Sequence, residues 1–201
     1  MGIQSDVQVG FIADENAADP DRLVTAARPN TSATMATTTF LGGGARNVTV
    51  TTTGTGDNSK TCTITGTDVF GNAMTEVITS TGSAEAVAGA KLFLTVSGVE
   101  CSAQYAANIT VGSGSLCASA VAGGNRTRMK GYSIVSAGTA GLVDFYDGTP
   151  EDGTIIFKAQ TLGTDNTTID NTIPDEGILF DSGLAISYTV ATVVLANIFF
   201  A

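Results

Sequence analysis

The feature that most constrains this chain is a side-chain period of two. From Arg46 onward, Val48 and Val50 alternate with Thr49 and Thr51, and Cys62 and Ile64 with Thr61, Thr63 and Thr65. Leu92, Leu94 and Val96 likewise alternate with Phe93, Thr95 and Ser97. Alternation sends successive side chains to opposite faces of a strand, so each run predicts a half-buried strand of antiparallel sheet. The 24 glycines and the low charged fraction, 14%, against about 25% in ordinary soluble domains, favour many short strands joined by tight turns.

The turn chemistry agrees with that pattern. Thr65-Gly66-Thr67-Asp68-Val69-Phe70-Gly71-Asn72-Ala73 separates two runs and carries the Asp, Gly and Asn that a hairpin needs. Ile109 and Val111 close a first module before Gly112-Ser113-Gly114-Ser115, and Ala118–Asn125, with Gly123-Gly124, reads as a boundary. Five further alternating stripes follow: Tyr132 with Ile134, Val143 with Phe145, Ile155 with Phe157, Ile178 with Phe180, and Leu184 with Ile186 and Tyr188; a sixth strand runs from Thr192 to Phe200. The predicted fold is all-β, an antiparallel β-sandwich or jelly-roll-like arrangement in two modules, 46–122 Ig-like and 123–201.

Residues 1–45 read as an extended N-terminal arm carrying at most one short helix. Asp19 is placed as its N-cap, Pro20 at its first position and Pro29 beyond its end. Upstream, Val7, Val9, Phe11 and Ile12 lie in an alternating piece suited to adding a strand to a neighbour's sheet. The stretch from Asn30 to Gly44 reads as a flexible connection. An arm unable to bury its apolar residues locally is expected to dock on a partner, with Arg22, Leu23 and Arg28 contributing; removing residues 1–40 is then expected to leave a folded body that no longer binds. Arg126, Arg128 and Lys130 form a small basic cluster, read either as solvated surface or as a dock for an acidic partner.

Chemistry is excluded mainly by what is missing. There is no His, so Ser–His and Cys–His catalysis have no base, and no GxxxxGK[ST] loop exists to hold phosphate. Nine Lys and Arg against nineteen Asp and Glu give a net charge of −10 with no basic run, which argues against nucleic-acid binding. Asp144, Asp147, Glu151 and Asp152, and the pair Asp175-Glu176, are the acidic candidates. They read as surface turns; a calcium site or a carboxylate pair stays open as the lesser reading. Catalytic, cofactor-binding and metal-binding residues are therefore expected to be none, and no cofactor is implied.

Cys62, Cys101 and Cys117 are an odd number without CxxC spacing, expected as buried thiols, with a Cys101–Cys117 bridge open. The Asn-x-Thr matches at Asn47, Asn108 and Asn125 are expected by chance in so Thr-rich a chain. The first residues carry no secretory or myristoylation pattern. No charge follows Asp181, yet the alternating β-branched residues fit two buried strands better than a membrane span. Carbohydrate binding is weakened by the lack of Trp, leaving Tyr105, Tyr132, Tyr146 and Tyr188.

Two stretches carry a family resemblance. Thr65–Thr79, followed by Lys91-Leu92-Phe93-Leu94-Thr95-Val96 and Asn108-Ile109-Thr110-Val111-Gly112, resembles an Ig-like sandwich pattern of tailed-phage virion proteins, especially those of marine and cyanobacterial hosts. Gly131–Gly138 with Val143–Gly148 and Ile173–Ile178 is similar to a second module of the same proteins. The resemblance covers about two-thirds of the chain and transfers no catalytic residue. It implies a structural virion protein assembled in the host cytoplasm. The first expectation is a capsid decoration, or cement, protein that binds the major capsid protein on the capsid surface as a homo-oligomer, possibly a trimer, with no nucleic acid and no membrane. The alternatives are a tail, head-fibre or knob component, or a carbohydrate-binding adhesion module.

Overall fold

A computed structural model describes residues 7–13 and 17–201. The chain is all-β. In order, its strands are β1 (Gln8–Ala13), β2 (Val24–Ala27), β3 (Ala45–Thr52), β4 (Thr61–Thr67), β5 (Ala73–Thr79), β6 (Val87–Phe93), β7 (Thr95–Cys101) and β8 (Ile109–Ala122). They continue as β9 (Thr127–Ser136), β10 (Leu142–Asp147), β11 (Thr154–Gln160), β12 (Thr167–Thr172), β13 (Ile178–Phe180), β14 (Leu184–Thr189) and β15 (Val193–Phe200). Among the described residues the helical content is two single 3-10 turns, Thr55–Asp57 and Val190–Thr192.

The chain divides into two compact units otherwise than at 45/46 and 122/123. One unit unites the described residues through Ala13 with Ala118–Ala201; the other is the intervening stretch to Cys117. The division falls inside β8, which runs on to Ala122, so residues 118–122 of the expected connector are strand and not linker. A β-carbon on Gly112 would strike the Asp19–Pro20 backbone, and one on Gly114 the Asn47 side chain. Glycine within a strand marks such close approach as readily as a break.

In the intervening unit, β5, β4 and β7 form one sheet, while β3 pairs with β6 and β2 with β8. The β4–β5 hairpin has the turn that its sequence predicts: the Asp68 carboxylate accepts from the amides of Phe70 and Asn72 at 2.8 and 2.9 Å, and Gly71 takes φ 85°. Its core includes Val48, Val50, Cys62, Ile64, Phe93, Val96, Ile109 and Val111. The run from Leu92 to Ser97 is not one strand. It bends at Leu94 and passes from β6 to β7, since Leu92 and Phe93 are both buried and no single face can hold consecutive side chains.

Much of the predicted arm is built into this unit. Leu23, Val24 and Phe40 are buried in its core. Residues 31–39 run beside β7, where Thr31 O accepts from Cys101 N, Val99 O from Ala33 N at 2.9 Å, and Thr38 O from Val96 N at 2.9 Å. The expected short helix is absent. Asp19 N donates to Ser113 Oγ at 2.9 Å and Asp19 O accepts from Ser113 N at 2.8 Å, Leu23 N donates to Val111 O, and residues 24–27 add to β8 as β2. So short a helix has little stability of its own, and burial of Leu23 and Val24 decides for the sheet.

In the other unit β1, β15, β9 and β12 are hydrogen-bonded in that order, with β13 also on β9, and β11, β10 and β14 form the facing strands. Tyr132 of β9 meets Phe145 of β10 and Phe157 of β11 with ring centroids 5.9 and 5.7 Å apart, and those two rings lie 5.4 Å apart edge-on. Ile12, Met129, Ile134, Val143, Phe180, Leu184, Ile186, Ala196 and Ile198 are buried in the same unit. The two charge-free strands predicted after Asp181 are β14 and β15. No helix among the described residues is long and apolar enough to cross a membrane. β12 had no clear signal, because only Ile169 in Thr167–Thr172 is apolar and the strand is mostly exposed.

Candidate functional site: an uncovered sheet face at the β1 edge

Strand β1 ends its sheet and, among the described residues, pairs antiparallel with β15 alone. The register sorts the side chains. Ile12 aligns with Ala196 and, through β15, with Ile134; all three are buried on the inner face. On the opposite face Val9 aligns with Phe199 and Gly131, and Phe11 with Asn197 and Ser133, while Leu195 neighbours Val135. Val9 is 55% and Phe11 67% exposed, and Leu195, Phe199 and Val135 are half-buried.

Large apolar side chains thus continue from the edge strand onto its neighbours on a face that no segment of the unit covers among the described residues. β15, Val193-Val194-Leu195-Ala196-Asn197-Ile198-Phe199-Phe200, is apolar on both faces, the pattern of a strand covered on both sides. That pattern is the sequence signal for Leu195 and Phe199 as candidates, and on its own it reads as full burial.

The edge also borders a groove of about 390 Å³ lined by Gln8, Val121, Asn125, Arg126, Phe200 and Ala201, among others. Arg126 pairs there with Asp181 at 3.3 Å, both side chains mostly in water, so the pair adds little stability. The fold therefore brings Arg126 to the β1 edge. It gives its two companions other work: Arg128 donates to Glu176 O at 3.4 Å, and Lys130 to Asp175 O and Glu176 O at 3.3 and 3.0 Å. They satisfy the carbonyls of a turn in which Asp175 and Gly177 hold φ 56° and 77°.

Arg22, Leu23 and Arg28 belong to the other unit. Leu23 is fully buried and offers nothing to a partner. Arg22 donates to Thr39 O at 3.3 Å and Arg28 to Tyr105 O at 2.8 Å, tying their own segment down. Of the acidic candidates, Asp144 pairs with Lys158 at 3.1 Å and Asp147 accepts from Ser182 N at 2.6 Å. Among the described residues no three His, Cys, Asp or Glu side chains converge on a metal position. Asn47 is buried, donating to Gly89 O and accepting from Leu116 N. Tyr105, Tyr132 and Tyr188 are buried, which removes them as carbohydrate platforms.

Comparison with protein-family models, curated proteins and solved structures returns no match.

Two buried clusters escaped the sequence reading. Asp57 is fully buried. Its carboxylate takes hydrogen bonds from Thr52 Oγ1 and Lys60 Nζ, both at 2.8 Å, and from the amides of Ala106 and Ala107 at 2.5 and 3.1 Å. Burial alone would raise its pKa; Lys60 and the three other donors outweigh burial and hold the carboxyl well below the usual carboxylate range. With both oxygens engaged by the fold, this is a structural latch rather than a proton-transfer group.

The second cluster is Cys62, Cys101 and Tyr105. Cys62 Sγ lies 3.8 Å from Cys101 Sγ and 3.2 Å from Tyr105 Oη. Hydrogen bonding from Cys101 eases ionisation of Cys62, the same bond opposes ionisation of Cys101, and burial pushes Tyr105 up. All three cysteines are thiols outside any disulfide. The neighbour of Cys101 is Cys62 and not Cys117, whose sulfur accepts from Arg46 Nη1 at 3.1 Å.

Proposed function

We propose that this chain is a non-enzymatic structural protein of a phage particle, a decoration protein that attaches to the major capsid protein on the outer capsid surface. The observation that carries the reading is the apolar face at β1 and β15. An exposed face of that kind is the mark of a protein-binding surface and is costly to leave in water. The virion address rests on the resemblance of residues 65–112 and 131–178 to tailed-phage modules. The attachment element is the β1 face, in place of the free arm that the sequence suggested, with Arg126 at its border. A homo-oligomer, a trimer on capsid three-folds being the simplest, would present several such faces at once and so raise the strength of attachment.

The test uses shells assembled without the protein. Wild type is expected to bind at a copy number on the order of hundreds per particle, following shell symmetry, and a V9S/F11S double variant to lose binding while staying folded. Undiminished binding by that variant would exclude the β1 face. Saturation at only a dozen or two copies would move the protein to the tail or a head fibre.

A further inference from the structure

Cys62 and Cys101 are register partners on antiparallel β4 and β7. Their neighbours fix which kind of pair they form. Ser102 N donates to Thr61 O at 2.9 Å, whereas Cys101 N points away from β4 to Thr31 O. Thr61 and Ser102 are therefore the hydrogen-bonded pair, and the cysteines occupy the adjacent non-hydrogen-bonded position. Facing Cα atoms there lie about 4.5 Å apart, within the roughly 4.4–6.8 Å that a disulfide spans.

We propose that Cys62 and Cys101 are a peroxide-sensitive dithiol that closes to a disulfide within the folded chain. Cys62 is the attacking thiol, since Cys101 and Tyr105 are placed to donate to its thiolate. Its sulfur takes one oxygen of hydrogen peroxide; the O–O bond breaks, and hydroxide leaves with the thiol proton as water, giving a sulfenic acid. Cys101 sulfur then attacks the sulfenic sulfur, the S–O bond breaks, and a second water leaves with the Cys101 proton. Two thiols and one peroxide become one disulfide and two waters, with peroxide as the two-electron acceptor. Peroxide is close to water in size and needs only a small opening. Cys101, the last residue of β7 in register with β4 and 8% exposed, provides the way in. The product staples β4 to β7 and closes a loop of some forty residues in the unfolded chain.

The experiment exposes the reduced, folded full chain to hydrogen peroxide, then counts thiols after denaturation and maps peptides by mass. The expected result is a fall from three free thiols to one, a cross-linked peptide joining Cys62 to Cys101, and a melting temperature higher by about 5–10 °C, all reversed by dithiothreitol. A Cys117→Ala variant should form the same cross-link, and Cys101→Ala should carry added oxygen at Cys62 with no cross-link. If Cys101→Ala does not fold, the wild-type peptide map decides alone. Three intact thiols, oxygen addition without a cross-link in the wild type, or a bridge involving Cys117 would each overturn the proposal.

Discussion

At the scale of single residues, Asp57 shows how a buried charge is tolerated and what it costs to disturb. Its partners come from three places in the sequence, Thr52, Lys60 and the 106–107 backbone, so the carboxylate closes a loop, a turn and a strand end onto one point. Asp57→Asn is expected to lower stability by about 3 kcal/mol, because a truncated buried pair leaves its donors unpaired; urea denaturation measures it. The pH dependence follows from the direction of the shift. With the folded pKa depressed, the unfolded chain binds the proton first, so the contribution is complete above the ordinary carboxylate pKa of about 3.9 and is lost as the pH falls from there toward the folded value. Melting temperatures measured from about pH 5 down to about pH 2 should fall more steeply for wild type than for Asp57→Asn. None of this was legible beforehand, since Thr55-Gly56-Asp57-Asn58 has the composition of any exposed turn.

At the scale of elements, the alternation read from the sequence reports faces more reliably than boundaries. β4 keeps its alternation of buried and partly exposed residues through Ile64, and β14 buries Leu184, Ile186 and Tyr188 as read. What period two cannot report is where a strand changes sheets, as at Leu94, or which glycines sit under a crossing backbone, as at Gly112. Nor does it tell a docking arm from a strand that pairs with residues nearly a whole chain away. β1 is the clearest case, and its two faces predict opposite behaviour. Ile12→Ala should cost about 2 kcal/mol, as a buried large-to-small change on an edge strand, whereas Phe11→Ser should stay within about 0.5 kcal/mol of wild type; chemical denaturation of the two variants checks both. Removing residues 1–40 takes out β1 and β2 and the buried Leu23, Val24 and Phe40, so it is expected to unfold the protein, and circular dichroism of the truncated chain tests this.

At the scale of the whole molecule, a net charge of −10 opposes the apolar face of the β1 sheet. Mutual repulsion keeps copies apart at low ionic strength, and salt at about 0.5 M shortens the screening length to a few ångströms. Sedimentation velocity should then show wild type forming larger species as salt rises while V9S/F11S shows no such increase. The all-β architecture was legible from composition and period because both are averages over many strands. The partner surface was not, because exposure is a property of what lies opposite a residue, and the sequence of β15 looks the same whether Phe199 is covered or bare. The pairing of Val9 with Phe199 also sets an order of events during synthesis. At roughly 5–20 residues per second, β1 leaves the ribosome about ten seconds or more before β15 exists to receive it. Throughout that interval Val9, Phe11 and Ile12 are all bare, so the segment that completes this sheet is also the one a nascent-chain chaperone has the longest opportunity to hold.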